Sequence, residues 1–81
     1  MTGQDIDDAV RTALVRLLQV APDTLTRDTD LEGDLGLDEV SAFAVVSAVG
    51  DVLEVRFPDD FCDGLQTYGE LTAAIRIAIG A

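Results

Sequence analysis

The sequence has 81 residues, 48% of them hydrophobic, with 16 acidic side chains against five arginines and a formal net charge of −11. That size predicts a single domain over residues 1–81 with a modest aliphatic core, and that charge disfavours nucleic acid and anionic membranes while favouring basic protein surfaces. The absence of His removes the usual general base and the commonest metal ligand, the single Cys62 excludes an internal disulfide, and no basic leader or apolar run of ~20 residues is present, so a cytoplasmic, non-enzymatic protein is expected.

The first predicted helix runs from Gln4 to Val20, with Ile6, Val10, Ala13, Leu14 and Leu17 on one stripe. Asp5, Asp7 and Asp8 crowd its first turn and Arg11 and Arg16 lie further on, as the helix dipole favours. Ala21-Pro22 ends it. Residues 21–37 read as a long ordered loop, pinned by Leu25, Leu31, Leu35 and Leu37, with Gly33 and Gly36 allowing sharp turns. Asp38 is an N-cap for a second helix, Glu39 to Leu53, whose core stripe is Val45, Val46, Val49, Val52 and Leu53. Asp59 to Asp63 reads as one short helical turn closed by Gly64. Thr67-Tyr68-Gly69-Glu70 has the pattern of a capping box. It opens a last helix to Ile79 that turns Leu71, Ala74, Ile75 and Ala78 inward and ends at Gly80. The fold class expected is all-α: a bundle of three main helices and one short helix, with the long loop between the first two.

Residues 26–40 read Thr-Arg-Asp-Thr-Asp-Leu-Glu-Gly-Asp-Leu-Gly-Leu-Asp-Glu-Val. This resembles the acyl carrier protein family, which has a Thr-x-x-Thr-x-Leu segment, an Asp-Leu-Gly turn, and Asp-Ser-Leu at the start of the second helix. The matching residues are Thr26, Thr29, Leu31, Asp34, Leu35, Gly36 and Asp38, and the likeness continues through Phe57-Pro58-Asp59 and the Thr67-capped helix. The resemblance implies a four-helix bundle that works in fatty acid, polyketide or nonribosomal peptide biosynthesis. It also exposes a departure. The family serine that receives phosphopantetheine corresponds to Glu39, and a carboxylate cannot form the stable phosphate ester that a hydroxyl forms. No bound cofactor is therefore expected.

A second departure concerns recognition. Family members show partners an acidic second helix, whereas residues 40–50 here carry no charge, and the positions resembling the acidic contacts are Ser41, Ala44 and Gly50. The expected partner-binding residues are Asp38, Glu39, Val40, Ser41, Phe43, Ala44 and Ser47. The expected partners are synthases, transferases or other biosynthetic proteins, and self-association is compatible with the same face. Ala48 extends the small residues that permit close helix approach. The simpler reading places these residues in the core or in plain solvent.

Glu39 itself has two readings, a permanent mimic of the charged, modified serine or an acid that interacts well with the helix dipole. The chain could instead be a working carrier modified at another residue, with Ser41 the nearest hydroxyl but turned by about 200° around the helix, or a carrier engineered at position 39. Asp28, Asp30, Glu32, Gly33 and Glu39 match an EF-hand loop in spacing, yet Pro22 separates the loop from the first helix, and no metal site is expected. Cys62 reads as a buried structural thiol, and Val46, Val49 and Ile75 as lining for an interhelical cavity.

Overall fold

A computed structural model describes residues 3–58 and 60–80. Among them are three α-helices and no strand: α1 Gly3–Leu18, α2 Glu39–Leu53 and α3 Tyr68–Ile79, with a single 3-10 turn at Pro22–Thr24. The all-helical class is as expected. Helix α1 stops two residues short of Val20 because Gln19 takes a left-handed conformation (φ 56°). The 3-10 turn then makes use of Pro22, whose fixed φ suits a first helical position. Arg11 Nη1 donates to the Pro22 carbonyl at 3.0 Å and ties this turn back onto α1.

The core is aliphatic. Ile6, Val10 and Leu14 of α1 meet Val45 and Val49 of α2 and Leu71 and Ile75 of α3, all of them fully buried. Burying each such side chain contributes about 1.5–3 kcal/mol. Three stripe positions behave otherwise. Leu17 and Val52 lie on the correct side of their helices but flank an open cleft between α1 and α2, and Ala78 lies in the exposed last turn of α3. Periodicity assigns a side to a residue; whether a neighbour reaches that side depends on how far the helices overlap.

The loop between α1 and α2 is ordered as its leucines imply. Leu25, Leu31 and Leu37 are buried and Leu35 is partly buried. Backbone bonds stitch the loop to the start of α3: Leu31 N–H to the Gln66 carbonyl at 2.8 Å, Tyr68 N–H to Thr29 at 2.9 Å and Gly69 N–H to Arg27 at 3.0 Å. Asp30 and Thr67 form an isolated antiparallel bridge. The buried Thr29 hydroxyl accepts from Thr26 N–H at 2.8 Å and donates to the Thr24 carbonyl at 2.7 Å. Of the two loop glycines, Gly36 supplies a positive φ of 68°, and Gly33 does not.

Both long helices after the loop are capped as expected. Thr67 accepts from Glu70 N–H, the Glu70 carboxylate accepts from Thr67 N–H, and Gly80 closes α3 at φ 75°. Helix α2 closes through left-handed Glu54, beyond which Val55 N–H returns to the Gly50 carbonyl at 2.9 Å. That return passes directly over Gly50, which is buried.

Where a short helix is expected over residues 59–63, residues 60–64 instead form a run of turns. Phe61, Asp63 and Leu65 donate to the carbonyls of Pro58, Asp60 and Cys62, each three residues back. Spacing of this kind closes isolated turns rather than an α-helix. Asp59 lies outside the described residues. Phe57 and Phe61 hold the segment to the core with ring centroids 4.7 Å apart. An Asp7–Arg76 ion pair joins α1 to α3, and Arg11 lies 5.7 Å from the Tyr68 ring centroid beside it.

Candidate functional site

The site is built by the start of α2. Asp38 is extended (φ −112°, ψ −175°), which turns its carboxylate back over the first helical turn. Its Oδ1 accepts from Ser41 N–H at 2.7 Å. That bond, reinforced by the Ser41 hydroxyl, holds the Asp38 carboxyl below its ordinary range. Glu39 is the first helical residue and is exposed, with its acid at the positive end of the helix dipole. Ser41 is half-buried and engaged with the cap, so the nearest hydroxyl to Glu39 faces back toward Asp38.

From this start the outer face of α2 carries Val40, Phe43, Ala44 and Ser47. Their i, i+3, i+4, i+7 spacing places them on one stripe. Val40 is 78% and Phe43 49% exposed; Ser47 is exposed and Ala44 half-buried. Two large apolar side chains therefore stand in solvent on an uncharged stretch, with Asp38 and Glu39 at one end and Asp51 at the other. The structure thus brings Asp38, Glu39, Val40, Phe43, Ala44 and Ser47 onto one open surface, with Ser41 at its edge. Gly50 does not join them, because Val55 covers it.

Beneath Glu39 lies a cleft of about 760 Å³ between the start of α2 and the turn after Cys62. Leu37, Ala42 and Leu65 give it an apolar floor, and Glu32, Glu39 and Asp63 stand around it. No sequence signal joined Cys62, Asp63 and Leu65 to Glu39, since tertiary packing alone brings the two segments together. Burial pushes the Cys62 thiol up, and the neighbouring Asp63 charge adds to the effect, so the thiol remains protonated and poorly nucleophilic near neutral pH. Val49 and Ile75 are fully buried and pack within the core.

Two of the loop acids, Asp30 and Asp34, are occupied by the backbone. Asp34 Oδ2 accepts from Asp30 N–H at 2.9 Å and Asp30 Oδ1 from Glu32 N–H at 3.1 Å. Such bonds set turns and spread the carboxylates along the loop. Among the described residues no group of three or more acids or cysteines is gathered as a metal would require. No helix among them is long and apolar enough to cross a membrane.

Residues 8–75 match the family model described as phosphopantetheine attachment site. The chain is similar to the acyl carrier protein of Sulfurovum sp. (strain NBC37-1), 30% identical over 63 residues that cover 78% of this chain and 84% of that one. It is 27% identical over 77 residues to the acyl carrier protein of Phenylobacterium zucineum (strain HLK1), covering 95% and 98% of the two chains. It is 29% identical over 75 residues to that of Akkermansia muciniphila, covering 93% and 94%.

Proposed function

The chain belongs to the acyl carrier protein family, and from that membership we propose that it is a carrier-like subunit that meets proteins of fatty acid, polyketide or nonribosomal peptide assembly through α2 without bearing the phosphopantetheine arm. Proteins of this family are carriers rather than enzymes, and the chain is not an enzyme.

The observation that carries this reading is Glu39 standing as the first residue of α2, directly after the Asp38 cap. The Asp38-Glu39-Val40 order resembles the family's Asp-Ser-Leu, with an acid where the hydroxyl stands. When present, the arm supplies a thiol on which acyl groups are held as thioesters. The residues here do not fit it. Glu39 offers no alcohol to esterify, Ser41 is half-buried against the cap, and Cys62 is a protonated, half-buried thiol. What remains is the recognition surface. Its middle is apolar and uncharged, so contact with a partner rests on burial of Val40 and Phe43 more than on ion pairs.

Intact-mass measurement after incubation with coenzyme A and a promiscuous phosphopantetheinyl transferase tests the first half. The expected result is an unchanged mass for the native chain and an arm adduct for Glu39→Ser. An adduct on the native chain at any residue would overturn the reading. Pull-down with purified synthase components tests the second half. Loss of capture in Phe43→Asp supports it, and uniform absence of capture counts against it. Glu39→Gln separates charge mimicry from simple dipole compensation, since only mimicry requires partner affinity to fall.

A further inference from the structure

We propose that the groove between α1 and α2 is a self-association surface, into which α1 of a second copy packs antiparallel about a two-fold axis at Thr12. The groove has a volume of about 610 Å³ and a floor of small side chains, Ala9, Ala13 and Ala48. Leu17 and Val52 wall it and are left 46% and 64% exposed, the apolar positions of their stripes that the fold does not cover. Small floor residues let a helix approach to about 8–10 Å between axes.

The occupant is chosen by the charge pattern of α1 itself. Asp8, Thr12 and Arg16 are exposed at successive i+4 positions and line the same groove. Asp8 and Arg16 are thus equidistant from Thr12, roughly 6 Å to either side along the helix. An antiparallel copy centred on Thr12 sets Asp8 against Arg16 of the other protomer, and Arg16 against Asp8, in the isologous arrangement that a two-fold axis requires. Arg16 is available for this role: it makes no ion pair or hydrogen bond with any described residue, whereas Arg11 is bound to Pro22 and Arg76 to Asp7. A foreign basic helix would satisfy Asp8 but meet Arg16 with like charge. A copy of this chain satisfies both.

The whole-molecule charge of −11 opposes the encounter at long range, whereas the two ion pairs act at contact. Screening weakens the first more than the second, so raising salt from ~0.02 to ~0.15 M strengthens association. This surface lies on α1 and the inner edge of α2, apart from the Val40–Ser47 stripe, and the proposal does not depend on the carrier-like reading.

Sedimentation equilibrium of the full chain from ~10 µM to ~1 mM, in ~0.15 M NaCl, is the test. The expected result is an average mass that rises with concentration toward twice the monomer. Arg16→Asp weakens association by about tenfold, the scale of two exposed pairs turned from attraction to repulsion. Combining Asp8→Arg with Arg16→Asp restores it, which also shows that neither change acts by unfolding. Leu17→Asp weakens association, and Ile77→Asp, at the exposed apolar position on α3, leaves it unchanged. A monomer mass at all concentrations, association indifferent to Arg16→Asp, or failure of the double exchange to restore it would each overturn the proposal.

Discussion

Replacing Gly50 by Ala sets two effects of opposite sign against each other. Within a helix, Ala is favoured over Gly by about 1 kcal/mol, because glycine loses more backbone freedom on folding. Helix propensity alone therefore forecasts a more stable protein. The structure forecasts the reverse. A Cβ on residue 50 would lie 2.5 Å from the Val55 carbonyl oxygen and 3.6 Å from the Phe57 ring. That oxygen is not free to move away, since Val55 N–H is bonded to the Gly50 carbonyl and Glu54 is already fixed in the left-handed region. Relief requires a backbone shift of at least about half an ångström at the end of α2, an overpacking strain of about 1–3 kcal/mol. Weakening the closing hydrogen bond adds about 1 kcal/mol. Subtracting the propensity gain leaves a net loss of about 1–3 kcal/mol. For a domain of this size that lowers Tm by about 5–20 °C. Thermal unfolding followed by far-UV circular dichroism measures it. A Gly50→Ala protein as stable as the parent, or more so, would refute the close approach of Val55.

Three further consequences are measurable. Thr29→Val keeps the shape of a buried side chain but removes an oxygen that serves Thr26 N–H and the Thr24 carbonyl, both on exposed residues, so urea denaturation should show a loss of about 1–3 kcal/mol. Asp38 is held below its ordinary carboxyl value of 3.8 by the Ser41 bond. Its contribution is therefore complete above about pH 4 and disappears as pH falls through the lower folded-state value, so Asp38→Asn should match the parent at pH 7 and show a shallower decline of Tm below pH 4. The raised pKa of Cys62 predicts slow alkylation at pH 8, with the rate still rising at pH values where that of a free thiol has levelled off; reaction as fast as that of free cysteine at pH 8 would contradict its burial.

Much of the fold is legible before any packing is considered. Asp38, Thr67 with Glu70, and Gly80 mark helix ends by local hydrogen bonding and backbone freedom, which act over four or five residues and need no distant partner. The α2 boundaries fall where the Asp38 cap and the aliphatic pattern put them. The leucines of the long loop announce that it is anchored, because apolar side chains that frequent require burial. Glu39 at the head of α2 is likewise a fact of sequence order. The remaining features depend on residues far apart in the chain. Gln19, not Pro22, ends α1, and the expected short helix dissolves into turns, since weak local preferences yield to the route the chain must take around the core.

Sequence by itself determined that three helices, the second and third of them opened by caps, surround an aliphatic core and that an acid, not an alcohol, opens the second of them. Only the tertiary structure decided which apolar residues of each stripe are covered: Val49 disappears into the core while Val52, three residues on, stands in a groove with Leu17. It alone brought Cys62 and Leu65 beneath Glu39 and laid Val55 over Gly50. Helical periodicity gives a direction for each side chain, and the presence of a neighbour along that direction is a property of how whole helices cross.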